Sequence, residues 1–259
     1  MNKLFSVAAL SSVLASPAFG ADLPAAKAAP GYPPPPPAFS WTGFYLGANA
    51  GLSAGTFNNT DRIGTYGMGD QSTAASKGFS GGGQFGYNYQ LPGSNVVLGV
   101  EADFQGSTLQ GTYDNFQAGG AAWQDGSKVD WWGTARGRIG YAFGNFLPYA
   151  TGGLAYGHVG TSGNCTASAW PLSSCDQSQG SVSGTQIGWT AGAGVEYAIT
   201  RNLTFKAEYL YTDLGTVDFP NYYLDATYGG PLYSPGNDMR TSTTFSTVRV
   251  GLNYKFDPF

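Results

Sequence analysis

The sequence has few charged residues, which make up 11% of its 259 residues. Soluble globular domains carry about 25% charged residues, so the low value indicates that much of the folded surface does not face water. The chain has 12 basic and 16 acidic residues, for a net charge of −4. This balance argues against nucleic acid as a partner, because nucleic-acid-binding surfaces are strongly basic.

Long hydrophobic stretches are also missing. Beyond the N-terminus, no apolar run in the sequence approaches the ~18 residues of a membrane-spanning helix. This excludes a helical membrane protein. It does not exclude a transmembrane β-barrel, because barrel strands alternate apolar and polar residues and contain no continuous apolar run.

The first 40 residues predict export. Lys3, an apolar stretch over residues 4–15 and the small residues Ala18 and Gly20 form the three parts of a signal peptide, residues 1–20. Its removal leaves 11 basic and 16 acidic residues, because Lys3 is its one charged residue. Residues 21–40 are rich in Pro and Ala, with five successive prolines at 33–37. We interpret them as a stiff periplasmic linker, with a partner-recognition segment as the alternative.

From Trp41 onward, the chain alternates apolar and polar residues with the period of a β-strand. In the last run, Val248, Val250 and Leu252 share one face, while Arg249 and Gly251 lie on the other. Eight such runs follow one another, and the fifth, over residues 146–159, is the least regular. Short connections near 91–95, 144–145 and 200–202 alternate with long ones near 55–76, 106–127, 160–182 and 215–242.

This pattern predicts an all-β fold: an eight-stranded antiparallel transmembrane β-barrel over residues 41–256, with short periplasmic turns and four long extracellular loops. Residues 257–259 form a short C-terminal tail. Closing the sheet in lipid satisfies every backbone hydrogen-bonding group without leaving an edge. The apolar face therefore meets lipid, and the polar face lines the lumen.

Charged residues on the strands are predicted to face the lumen and to form a salt-bridge network. An eight-stranded barrel is barely wide enough for its own side chains, and buried charges must pair. The acidic members are Glu101, Asp103, Asp130, Glu196 and Glu208, and the basic members are Arg136, Arg138, Lys206, Arg249 and Lys255. We interpret the network as a polar plug, with a gated pore as the alternative.

Aromatic residues gather near the strand ends, as in the interfacial belts of membrane proteins. The predicted periplasmic belt consists of Trp41, Tyr87, Tyr89, Tyr141, Tyr197, Tyr254 and Phe256. The predicted extracellular belt consists of Trp131, Trp189, Tyr209, Tyr211 and Phe245.

The chain resembles the OmpA-like outer-membrane barrels, and most of all the alphaproteobacterial surface-antigen (porin-family) proteins. The segments that carry the resemblance include WTGFYLGANAG, GRIGYAFGNFLPYATGGLAYG and VRVGLNYKF. The resemblance implies insertion by the barrel-assembly machinery, which recognises a sequence pattern in the terminal strand. The residues that match this pattern are Arg249, Gly251, Tyr254 and Phe256. The added tail leaves open whether Phe256 or Phe259 ends this signal.

The remaining residues give weaker indications. Cys165 and Cys175 lie in one long loop of an exported chain, which favours a disulfide, with free thiols or a metal pair as the alternative. His158 is the single histidine and lacks a nearby His-x-Ser pattern, so we predict no catalytic residue, no metal and no cofactor. Only the fold decides whether Asp213 or Ser162 comes close to His158.

These features predict an outer-membrane protein with a structural role in the envelope and a role in surface recognition. Its expected partners are outer-membrane lipid and lipopolysaccharide, the barrel-assembly machinery and an unknown extracellular ligand or receptor. A narrow porin for ions or small solutes is the alternative.

Overall fold

The computed structural model describes residues 39–61, 71–116, 121–167, 180–219, 222–225, 230–233 and 239–256. Ten strands are present in these ranges. They are β1 Gly43–Asp61, β2 Gln71–Gln90, β3 Val96–Phe116, β4 Ala121–Tyr141, β5 Phe146–Ala167, β6 Gly180–Ala198, β7 Leu203–Phe219, β8 Tyr222–Asp225, β9 Gly230–Tyr233 and β10 Met239–Lys255. Among the described residues, no helix is long and apolar enough to cross a membrane.

Eight of the strands form a closed antiparallel barrel in the order β1-β10-β7-β6-β5-β4-β3-β2. The first and last strands close it, with Gly47 opposite Asn253 and Gly51 opposite Arg249. The short strands β8 and β9 pair only with each other. The predicted eight-stranded barrel is therefore confirmed, with an additional two-stranded hairpin between β7 and β10.

The two faces of the barrel wall follow the alternation in the sequence. Outward side chains are apolar and exposed, as in Leu52 (69%) and Ile187 (73%). Inward side chains are polar and buried, as in Lys206 (0%) and Arg249 (1%). This distribution is the reverse of a water-soluble protein, and it matches a barrel whose outer wall meets lipid.

The barrel strands are longer than the sequence predicted. They contain 17–22 residues, whereas about 9–11 suffice to cross a bilayer. Much of the predicted loops 55–76 and 106–127 is therefore strand, and the connection between β3 and β4 shrinks to residues 117–120. The three short turns, 91–95, 142–145 and 199–202, lie at one end of the barrel. We call this end the turn end and the opposite one the loop end.

A bulge in β4 makes two of the predicted face assignments wrong, those of Asp130 and Val129. The register against β5 shifts between Val129 and Trp131, so that Asp130 is an extra residue. Asp130 therefore points outward and pairs with the exposed Lys128 at 3.0 Å, whereas Val129, predicted to face lipid, is buried in the lumen. A single extra residue reverses the alternation beyond it.

The irregular fifth run is a regular strand with apolar residues on both faces. Phe146 and Leu154 are exposed on the outer wall, whereas Leu147, Tyr149 and Val159 are buried inside. The apolar inward residues depart from the expected pattern of apolar residues outside and polar residues inside, because parts of the lumen are apolar.

Two members of the predicted aromatic belts lie inside the barrel. Trp41 and Phe245 are each 1% exposed. Phe245 packs edge-on against Trp132, with ring centroids 5.3 Å apart. The outer wall does carry exposed aromatic residues near both ends, including Tyr141 and Tyr254 near the turn end and Trp189 and Tyr209 nearer the loop end.

Several predictions lie outside the described residues. They concern the signal peptide 1–20, nearly all of the linker 21–40, the tail 257–259, Cys175 and the side chain of Cys165. These stay predictions.

Candidate functional site

Two clusters of buried apolar residues lie in the lumen, one toward each end of the barrel. The turn-end cluster consists of Trp41, Val97, Ala142, Leu147 and Ala198, with Phe39 packed against it. The loop-end cluster consists of Phe57, Ala74, Leu109, Val129, Trp132, Ala155, Val159, Leu210, Leu214 and Phe245. Between them lies the charge layer, which contains Glu101, Asp103, Glu196, Glu208, Arg136, Arg138, Lys206 and Arg249. All eight side chains are buried.

Glu101 on β3 is the centre of the charge layer. Lys206 Nζ donates to its two carboxylate oxygens at 2.8 and 2.9 Å. Tyr45 Oη donates to Oε2 at 2.7 Å, and Arg136 Nη2 donates to Oε1. Arg138 Nη1 lies 3.5 Å from Oε2. These contacts join β1, β3, β4 and β7 across the lumen.

Arg249 on β10 forms a second set of contacts with two carboxylates. Its Nε donates to Glu208 Oε2 at 2.8 Å, and its Nη2 donates to Asp103 Oδ2 at 2.9 Å. Arg136 Nη1 reaches the other oxygen of Glu208 at 3.0 Å, and Tyr149 Oη donates to that same oxygen at 2.9 Å. Arg249 therefore bridges two carboxylates by hydrogen bonds and Arg136 bridges three, which gives the charge-assisted hydrogen bonds that a buried charge requires.

Arg138 and Glu196 form the part of the layer nearest the turn end. Arg138 Nη2 donates to Glu196 Oε2 at 2.6 Å, and the guanidinium lies 4.0 Å from the centre of the Tyr149 ring. Thr204 Oγ1 and Asn253 Nδ2 donate to the other oxygen of Glu196 at 2.5 and 2.9 Å. Neutral side chains thus complete the hydrogen bonding of the charges.

Inward glycines leave the space that these long side chains occupy. A Cβ on Gly99 would lie 2.8 Å from Arg138 Cγ, and one on Gly194 would lie 2.6 Å from Tyr149 Oη. Both distances are too short for real contacts. The glycine content of the strands therefore serves the packing of the lumen.

The turn end is closed by the segment that precedes β1. Trp41 turns into the lumen, where its Nε1 donates to the carbonyl oxygen of Gly144 at 3.1 Å. Lys255 donates to the carbonyl oxygen of Ser40, and its Nζ lies 4.4 Å from the centre of the Phe39 ring. Lys255, predicted as part of the network, thus lies at the turn end, further along β10 than Arg249.

The predicted assembly signal and the single histidine lie on both faces of the barrel wall. Arg249 and Gly251 of the predicted assembly signal face inward, while Tyr254 and Phe256 face outward, and their rings pack edge-on at 5.2 Å. His158 lies on the outer wall, stacked on Trp131 at 5.8 Å.

Some members of the site were missed by the sequence reasoning. Tyr45, Tyr149 and Asn253 all contact the charges, and each lies on the lumen face of its strand. The alternation placed Tyr45 on that face but gave no sign of its partner. Tyr149 was hidden by the irregular pattern of β5.

The fold and the layered lumen can be compared with known proteins. The sequence model described as outer membrane protein beta-barrel domain matches residues 6–256. The chain belongs to this family. It is 39% identical to the 31 kDa outer-membrane immunogenic protein of Brucella melitensis over 258 residues, covering 96% of this chain and 98% of that protein.

Two further relatives of this outer-membrane barrel carry similar names. The 22 kDa outer membrane protein of Rhizobium leguminosarum is 35% identical over 86% of this chain and 82% of its own length. The 25 kDa outer-membrane immunogenic protein of Brucella abortus is 28% identical over 99% of this chain and 100% of its own. The family membership and these relatives locate the chain in the outer membrane. Its turn end is therefore periplasmic and its loop end extracellular.

Proposed function

We propose that this barrel is a structural and surface-recognition protein of the outer membrane whose lumen is a closed plug. The observation that carries the proposal is the filling of the lumen. The charge layer is packed between two apolar clusters, and a conducting pore would need a continuous wet path through both. Trp41 lies directly across the periplasmic side of any such path.

The surface role is supported by the length of the strands. Because β1 to β7 and β10 contain about twice the residues needed to cross a bilayer, the wall extends well beyond the membrane at the loop end. The two Brucella relatives are named as immunogenic proteins of the outer membrane, which agrees with exposure at the cell surface. The extracellular ends would then present a ligand or receptor surface.

We also propose that the protein is not an enzyme. His158 is the single histidine of the chain, and it is half-buried on the outer wall, where it stacks on the Trp131 ring of β4. Hydrolytic catalysis would require it to contact a serine or carboxylate in hydrogen-bond geometry. The stacking on Trp131 instead gives it the role of an aromatic belt residue.

The test is the conductance of the refolded chain, residues 21–259, in planar bilayers, together with Glu101→Ala and Arg138→Ala. We expect a silent wild type whose heat-modifiable migration on gels shows that it is folded. Conductance steps that change in size or ion preference in the two variants would establish the narrow porin instead.

The envelope role needs a cellular experiment. Cells without the protein should become more sensitive to detergent, and expression of the wild type should restore resistance. A variant with residues 168–179 replaced by a short turn should restore resistance but lose any loop-mediated adhesion. Unchanged detergent sensitivity in the deletion strain would contradict the structural role.

A further inference from the structure

The side of the charge layer that faces the loop end carries polar atoms without a partner among the described residues. Asp103 makes its hydrogen bonds through Oδ2, while Oδ1 has no partner. Arg249 Nη1, both polar atoms of the Gln105 side chain and Trp132 Nε1 are likewise unpartnered. All four side chains are buried, and Gln105 and Trp132 are 0% exposed.

These atoms belong to neighbouring side chains. Asp103 and Gln105 are alternate residues on the inward face of β3, and Gln105 lies opposite Trp132 on β4. Arg249 is bound to Asp103 through Nη2 and Oδ2 at 2.9 Å, which makes the two side chains direct neighbours. The group lies where the charge layer meets the loop-end cluster, which contains Trp132.

The mixture of donors and acceptors defines the kind of ligand. Asp103 Oδ1 and the Gln105 carbonyl oxygen accept hydrogen bonds, whereas Gln105 Nε2, Trp132 Nε1 and Arg249 Nη1 donate them. Among the described residues, the charge layer holds four carboxylates and four basic groups, so it needs no counter-ion. An anion would be repelled by the free acceptors, and a cation would be repelled by the free donors. The group therefore fits a neutral molecule that both donates and accepts.

The apolar clusters limit the size of that molecule. The charge layer lies between the turn-end and loop-end clusters, and the four side chains of the group are buried, which leaves no room for larger solutes. Water meets every requirement, since buried waters typically make about three hydrogen bonds to polar groups that have no protein partner. We propose that Asp103, Gln105, Trp132 and Arg249 form a hydration site that binds a small cluster of ordered water molecules inside the plug.

The strand next to β3 offers a matched contrast, because Gln84 on β2 lies opposite Asp103. Gln84, also fully inside the lumen, accepts from Asn49 Nδ2 at 2.9 Å and donates to Asn253 Oδ1 at 2.5 Å. Its carboxamide is therefore satisfied by protein. In the proposed arrangement, water bonds the carboxamide of Gln105, whereas side-chain amides bond the carboxamide of Gln84.

The test combines a high-resolution crystal structure of the full mature barrel with two isosteric variants, Gln105→Met and Gln84→Met. The wild-type map should show ordered water within hydrogen-bond distance of Asp103 Oδ1 and the Gln105 carboxamide. Gln105→Met should lower the thermal unfolding midpoint in detergent by about 2–4 °C, because the water loses partners. Gln84→Met should lower it through the loss of direct hydrogen bonds.

Two results would overturn the proposal. One is a wild-type map in which the site holds no water or in which Gln105 bonds directly to protein. The other is a Gln105→Met variant at least as stable as the wild type, since removing an unhydrated buried amide stabilises a protein. The wild-type map decides the question even where a variant fails to fold.

Discussion

At the scale of single residues, the barrel contains two kinds of ion pair. One kind is buried in the lumen, and the other is exposed on the outer wall. Glu101 is buried and contacts basic groups from three strands, whereas Asp130 forms an exposed pair with Lys128. Removing one partner of a buried pair leaves uncompensated charge in a poorly solvated place. An exposed pair is solvated and screened, so its loss is nearly neutral.

We therefore expect Glu101→Ala to reduce the free energy of unfolding by about 3–5 kcal/mol, and Asp130→Ala by at most about 1 kcal/mol. Urea unfolding of the refolded barrel in lipid vesicles, followed by heat-modifiable migration, measures both values. Equal losses in the two variants would show that the charge layer is solvated.

Glycine residues allow a similar comparison between the lumen and the lipid face. A methyl group on Gly194 would meet Tyr149 Oη at 2.6 Å, whereas the atom nearest to one on Gly152 is the Thr190 carbonyl oxygen at 3.5 Å. A methyl group would therefore overpack the lumen at Gly194, whereas the outer wall at Gly152 has room for it.

Gly194→Ala should accordingly destabilise the barrel by about 1–3 kcal/mol, since the Tyr149 contact with Glu208 must shift. Gly152→Ala should be neutral within about 0.5 kcal/mol. The same urea titration compares the two. A neutral Gly194→Ala would mean that the Tyr149 ring moves freely.

At the scale of the strand, β10 combines two roles in its alternating faces. Its inward Arg249 binds Glu208 and Asp103, and its outward Tyr254 and Phe256 are exposed. The inward face therefore stabilises the folded barrel. We propose that the outward face is read during assembly, which is what the resemblance to OmpA-like barrels implies.

For this reason Phe256→Ala should lower the amount of assembled barrel in the outer membrane several-fold, while the stability of the refolded protein changes little. Leu252→Ala, another exposed residue of β10, is the control. Immunoblots of outer-membrane fractions and the urea midpoint give the two readouts. Removal of residues 257–259 should leave assembly intact if Phe256 ends the signal, and normal assembly of Phe256→Ala would assign that role to Phe259.

At the scale of the whole molecule, the charge layer lies between the two apolar clusters, and its side chains are buried. Ions that do not reach the layer do not screen it. A closed plug and an open pore therefore differ in how stability responds to salt.

Raising NaCl from about 0.05 to 0.5 M shortens the screening length severalfold, yet we expect the free energy of unfolding to change by less than about 1 kcal/mol. Urea titrations of the wild type at the two salt concentrations measure the change, and Asp130→Ala controls for the surface pair. A large loss of stability at high salt would place bulk ions inside the lumen and favour the porin.

The sequence alone determined the number of barrel strands, the sites of the three short turns and the direction of most side chains. These are local properties, because a period of two residues fixes the face and the turn residues fix the connection. The charges Glu101, Arg138 and Arg249 could thus be assigned to the lumen from alternation alone.

Only the tertiary structure decided how the lumen is filled. The pairing of Arg249 with Glu208 and Asp103 depends on barrel closure, which brings β10 against β7 and within reach of β3. Asp130 points outward because of a bulge in β4, and Trp41 points inward because it donates a hydrogen bond to Gly144. Each is set by contacts between residues distant in the chain, which a local period does not encode.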